Sequence, residues 1–153
     1  MDLPDDTTYY FIRHAEKERG SNAGNDPLLT EKGNERATFW ARYFKDKNLD
    51  AVYSTDTKRT LATAQPTANL YNVEIKSYDA GELYSDDFKK ETMGKRVLVV
   101  GHSNTTPEFV NAILETEKYP HINDSEFGTV YKVTWKAGEA TVEKETINNW
   151  DNP

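Results

Sequence analysis

The chain has 153 residues, a length suited to one domain with a substantial core. Its formal net charge of −7 argues against nonspecific binding to nucleic acid or an anionic membrane, since both favour basic surfaces; a local basic cleft is still compatible with it. The absence of cysteine removes disulfides, thiol nucleophiles and thiolate metal sites.

No apolar stretch reaches membrane-spanning length, and the acidic start Met1 to Asp6 is not a signal peptide, so the default expectation is a cytoplasmic protein. Residues 7–13 read as a strand, continuously apolar from Tyr9 to Ile12 as expected when both faces are covered. A polar loop rich in Gly and Asn follows over residues 20–27. A helix begins near Thr30, its N-cap, with Ala37, Trp40, Ala41 and Phe44 on one face. Asp50 to Ser54 is a second strand, and Thr55 or Asp56 caps the next helix. That helix buries Leu61, Ala64, Ala68 and Tyr71 and is expected to kink at Pro66. Val73 to Tyr78 reads as a third strand, and the polar segment from Asp79 to Lys95 holds a short helix.

Arg96 to Val100 is a fourth strand. The next helix is capped by Thr105 or Thr106, has Pro107 and Glu108 in its first turn, and buries Phe109, Ala112 and Ile113. Thr129 to Trp135 alternates, Lys136 to Glu139 turns, and Ala140 to Thr146 completes an antiparallel hairpin. This order predicts an α/β fold over residues 1–153: a three-layer sandwich whose mostly parallel central sheet is flanked by helices, with a C-terminal antiparallel hairpin.

Parallel strands collect their carboxyl ends on one sheet edge, where ligands bind. Arg13 and His14 follow the first strand, Arg59 lies just past the second, and His102 follows the fourth. The predicted edge therefore gathers two guanidiniums and two imidazoles, from only three histidines in the chain, beside helix amino ends. That set suits a phosphoryl group.

The motifs Arg13-His14-Ala15-Glu16-Lys17, Leu29-Thr30-Glu31-Lys32-Gly33, Tyr53 to Thr60 with Ala62-Thr63-Ala64, and Gly101-His102-Ser103-Asn104 resemble the histidine phosphatase superfamily. That superfamily includes phosphoglycerate mutase-like enzymes. Ala15 stands where many members carry glycine. The resemblance implies a phosphomonoester hydrolase acting through a phosphohistidine on His14, with no cofactor and no metal. Arg13, Arg59 and His102 would bind the phosphoryl group. It also points to a proton donor after the third strand, with Glu82 as first choice and Asp79 as second. Glu16 and Lys17 read as solvated loop charges, Asn22 and Asn25 as turn formers, Ser54 and Thr55 as support for the pocket floor, and His121 as a surface residue.

The expected partner is a phosphorylated small molecule or a phosphoprotein, a phosphohistidine protein among them; nucleic acid and membrane are not expected, and no oligomeric state is implied. A phosphomutase on the same scaffold is the nearest rival, although only 42 residues separate Arg59 from His102, leaving little room for a lid. A metal-dependent hydrolase built on His14 and His102 is disfavoured, because adjacent arginines repel a dication. A silent phosphate-binding module is the remaining alternative.

Overall fold

The computed structural model describes residues 6–20 and 23–147. Strands β1 (Thr7–Arg13), β2 (Ala51–Ser54), β3 (Ile75–Ser77) and β4 (Arg96–Gly101) run parallel, while β5 (Thr129–Lys136) and β6 (Glu139–Thr146) form an antiparallel hairpin. The sheet order is β3-β2-β4-β1-β5-β6, with β5 antiparallel to β1. Among the described residues four helices complete the fold: α1 (Glu31–Tyr43), α2 (Lys58–Tyr71), α3 (Asp86–Thr92) and α4 (Thr105–Leu114).

Alternation along the strands divides the core into two layers. Tyr9 and Phe11 of β1, Val97 and Val99 of β4, and Tyr131 and Val133 of β5 share one face with Phe88 of α3 and Phe109 of α4. Tyr10, Ile12, Val52, Leu98 and Val100 share the other with Trp40 of α1, Phe44 just beyond it, and Ala64 and Ala68 of α2. Helices therefore cover both faces, and this is the three-layer α/β sandwich expected from the sequence. Trp40 and Phe44 are fully buried, and truncating either to alanine should cost about 3–5 kcal/mol.

Strands β1 and β4 lie side by side, yet α1 and α4, the helices that follow them, pack on opposite faces. The departing chain thus leaves a crevice at the carboxyl ends of these two strands, the usual ligand position in such sheets.

Several local expectations are corrected. Thr30 does cap α1, accepting from the Gly33 N–H at 3.0 Å. The cap of α2 is Thr57 rather than Thr55 or Asp56, because the Thr55 hydroxyl is engaged with Thr60 and His102. Helix α2 continues past Pro66 to Tyr71, and its buried face is Thr60, Thr63, Ala64, Thr67 and Ala68. Leu61 and Tyr71 sit half-buried at its margin, since small residues face the core.

Helix α4 already includes Thr105 and Thr106, whose hydroxyls are spent on the His102 N–H and the Ile12 carbonyl; Asn104 occupies the cap position without a side-chain bond. Val110 rather than Ala112 joins Phe109 and Ile113 in the core. The third strand is shorter than expected. The hairpin turns at Ala137 (φ 53°) and Gly138 (φ 81°), both left-handed as a two-residue turn requires.

Candidate active site

Strand β1 ends at Arg13 and delivers His14 and Ala15 into the crevice. The His14 N–H donates to the Gly101 carbonyl at 2.8 Å, tying this turn to the end of β4. The Ala15 N–H donates to Thr63 Oγ1 at 2.9 Å, and Thr63 in turn donates to the Arg59 carbonyl at 2.7 Å. One short backbone segment is thereby pinned to both neighbouring elements that carry the other candidate residues.

The His14 side chain is buried. Its Nδ1 lies 2.7 Å from the Ala15 carbonyl oxygen. A carbonyl only accepts, so Nδ1 carries the proton and Nε2 of the neutral ring presents a bare lone pair. Arg13 Nη2 lies 3.5 Å from that Nε2, and the His102 ring centroid is 5.9 Å from that of His14. Burial, assisted by the charges of Arg13 and Arg59, lowers the His14 pKa to about 3, against the opposing pull of the Ala15 hydrogen bond. Burial is the largest of these causes, ahead of the repulsion from the arginines.

Arg13 is 1% exposed. Its Nη1 donates to the carbonyls of Asn123, Asp124 and Glu126 at 3.2, 3.3 and 3.1 Å, and its guanidinium carbon sits 4.2 Å from the Phe127 ring centroid. The segment 123–127 is thus a part of the site that sequence reasoning missed. Main-chain carbonyls leave no mark in a sequence; the aromatic Phe127 just before β5 was the one available signal.

Arg59 lies in the first turn of α2, with Nη1 3.9 Å from Asp26 Oδ1. The Nε atoms of Arg13 and Arg59 are both buried without a hydrogen-bond partner. A buried, unpaired donor costs about 1–3 kcal/mol, so these are groups an oxyanion would satisfy. His102 leaves β4 with its Nε2 3.0 Å from Thr55 Oγ1. Burial, then Arg59 and Arg13, lower its pKa to about 4. Both imidazoles are therefore neutral at pH 7.

Glu16 is corrected from a solvated charge to a structural one: its two carboxylate oxygens accept from Arg36 of α1 at 2.8 and 2.9 Å. Lys17, Asn25 and Arg59 line a common cavity beside the crevice. Asn22 lies outside the described residues. Ser54 Oγ donates to the Thr55 carbonyl below the site. Asp79 accepts from the Gly81 N–H at 2.8 Å and shapes a turn, whereas Glu82 is exposed on the rim of a separate cavity shared with Tyr78 and Phe109. No hydrogen bond or ion pair among the described residues joins Glu82 to His14 or His102. His121 is exposed and pairs with Glu108 at 3.1 Å. Among the described residues no cluster of three His, Cys, Asp or Glu side chains has metal-binding spacing, and no helix is long and apolar enough to cross a membrane.

Two neutral imidazoles and two guanidiniums lie around one crevice, a set whose charge and shape suit a tetrahedral oxyanion. Residues 9–80, which include Arg13, His14 and Arg59, match the profile of the Histidine phosphatase superfamily (branch 1). Over that segment the chain is similar to this superfamily. Phosphoserine phosphatase 1 of Hydrogenobacter thermophilus is 29% identical over 134 residues, an alignment that covers 85% of this chain and 55% of that protein's length.

Solved structures share the fold. Phosphoserine phosphatase of Entamoeba histolytica in complex with 3-phosphoglyceric acid superposes with a TM-score of 0.72 at 19% identity, covering 94% of this chain and 98% of that one. Phosphoglycerate mutase of Bacillus anthracis gives 0.70 at 17%, covering 97% and 95%. The protein histidine phosphatase SixA complexed with tungstate gives 0.72 at 18%, covering 91% and 96%. His102 lies outside the matched superfamily segment and comes to the site through the adjacency of β1 and β4.

Proposed function

We propose that this chain is a phosphomonoester hydrolase working as a single catalytic domain, with His14 as its nucleophile. The Nε2 lone pair attacks phosphorus; the Nε2–P bond forms as the ester P–O bond breaks. Arg13, Arg59 and His102 hold the phosphoryl oxygens, stabilising charge that builds up on them in the transition state. The departing alkoxide takes a proton from a carboxyl group of the loop after β3 that must swing from the neighbouring cavity to the bound ester, with Glu82 the first choice and Asp79 the second. Water then attacks phosphorus, gives its proton to the same carboxylate, and releases phosphate and free His14.

The observation that carries this reading is the Nδ1 bond of His14 to the Ala15 carbonyl, which leaves Nε2 unprotonated toward Arg13. The same carbonyl supports the positive charge the ring acquires once phosphorylated. Hydrolysis is favoured over mutase chemistry because the stretch between Arg59 and His102 is taken up by α2, β3, α3 and β4, with no insertion to close over the crevice. A substrate of either size, a small ester or a phosphoprotein, fits such an approach.

The test is hydrolysis of p-nitrophenyl phosphate in the presence of a chelator, with wild type and His14→Ala side by side. Wild type is expected to turn over and His14→Ala to lose nearly all activity. Rapid quenching of wild type should trap phosphate that is stable to alkali and labile to acid. Unimpaired turnover by His14→Ala would sink the proposal.

A further inference from the structure

Arg13 is a buried cation held without an ion pair. Among the described residues no carboxylate bonds its guanidinium; the two acids whose charge acts on it, Asp124 and Glu16, pair with Arg19 and Arg36 at 2.8 Å each. Burial lowers its pKa to about 10, so the group stays charged at pH 7 and needs compensation from what surrounds it. Nη1 is taken up by the carbonyls of Asn123, Asp124 and Glu126. That leaves Nη2, 3.5 Å from His14 Nε2, and the unpartnered Nε. These two nitrogens form the edge of the guanidinium that can donate to two oxygens of one phosphoryl group.

The flat face of the same group is covered by Phe127. The guanidinium carbon lies over the ring, 4.2 Å from its centroid, and the ring stands 6.2 Å from that of His14. The backbone on both sides of Phe127 is fixed by bonds that do not involve Arg13. Before it, the Ile122 N–H donates to the Ser103 carbonyl at 2.8 Å, and the Glu126 N–H closes a turn onto the Asn123 carbonyl at 2.9 Å. After it, the Gly128 carbonyl accepts from the Ile147 N–H at 2.8 Å. Gly128 packs so closely there that a Cβ would lie 2.1 Å from the Ile147 carbonyl oxygen. The ring is therefore a fixed wall against which the arginine rests.

We propose that Phe127 is a positioning residue: its ring face holds the Arg13 guanidinium so that Nε and Nη2 meet the phosphoryl oxygens. This role rests on the hydrolase reading above, which supplies the phosphoryl group. The negative face of an aromatic ring attracts a cation, most strongly where both are out of water. The carbonyls on Nη1 fix one corner of the guanidinium, and the ring stops it tilting about that corner. Leucine would fill similar space but has no such face. The neutral imidazole of His14 carries no charge for the ring to hold, so the attraction acts on Arg13.

The test grades the charge of the ring at nearly constant shape. Mono-, di- and trifluorophenylalanine are placed at position 127, beside Phe127→Leu, and kcat/KM for p-nitrophenyl phosphate is measured for each. Fluorine drains the negative ring face while hardly changing its size. Each added fluorine should lower kcat/KM further, with the trifluorinated ring and Phe127→Leu about tenfold below wild type. Calorimetric binding of inorganic phosphate to the same series, in a His14→Ala background, should weaken in the same order. A flat fluorine series would overturn the role, even if Phe127→Leu is impaired or misfolds, because packing alone predicts that result. Absence of phosphate binding to His14→Ala would overturn it as well. Graded phosphate binding without any turnover would instead sink the hydrolase reading and keep Phe127 as the support of an anion-binding Arg13.

Discussion

Replacing His14 with glutamine should flatten the acid limb of the stability profile. An unfolded chain binds a proton at this residue with a pKa near 6.5, while the folded chain keeps it neutral down to about 3. The folded pKa is the lower one, so the unfolded state holds more protons throughout that window and stability falls as the pH drops through it. At pH 5, about 1.5 units below the unfolded value, the loss is about 2 kcal/mol relative to pH 7, with the folded imidazole still uncharged. The Ala15 carbonyl favours the cation, but one hydrogen bond to a charged group does not outweigh removing that charge from water. Urea unfolding at pH 7 and pH 5 measures the effect in wild type and His14→Gln. The drop between the two pH values should be smaller by about 2 kcal/mol in the variant. Identical drops would refute the buried, neutral imidazole, and with it the free nucleophile at neutral pH.

Glu82→Gln should slow hydrolysis of alkyl phosphates by about 10²-fold or more, and that of p-nitrophenyl phosphate far less, because only the poor leaving group needs the proton; equal losses on both esters would remove Glu82 from the donor role. Gly33→Ala places a Cβ 2.0 Å from the Glu16 carbonyl oxygen, in the loop that follows His14. Helix propensity would favour alanine by about 1 kcal/mol, but displacing that backbone costs about 3, so urea unfolding should show a net loss of about 2 kcal/mol. A more stable variant would contradict the packing described.

The strands that end at His14 and His102 were legible because continuous apolar runs mark buried parallel strands, and the chemistry sits immediately past their ends. Parallel geometry alone then placed residues 88 positions apart at one edge, and the structure puts their rings 5.9 Å apart. The polar interior was much harder to read. Thr60, Thr63 and Thr67 are fully buried although hydrophobic patterning gives threonine no reason to face inward; hydroxyls of the first two bond local carbonyls. Glu16 looked like a solvated charge because its pairing with Arg36 depends on a loop returning to α1, which no period reveals. The anchoring of Arg13 was hidden for a related reason, since its partners are carbonyls that any residue type supplies.

Strand β1 lies between β4 and β5, bonded along nearly its whole length to one partner starting at Arg96 and another starting at Thr129. During synthesis the segment bearing His14 leaves the ribosome before both of its sheet partners and is unpaired until β4 and β5 have followed it. The crevice in a growing polypeptide thus forms only after β5, and nascent chains stalled before Thr129 should carry His14 without a formed pocket.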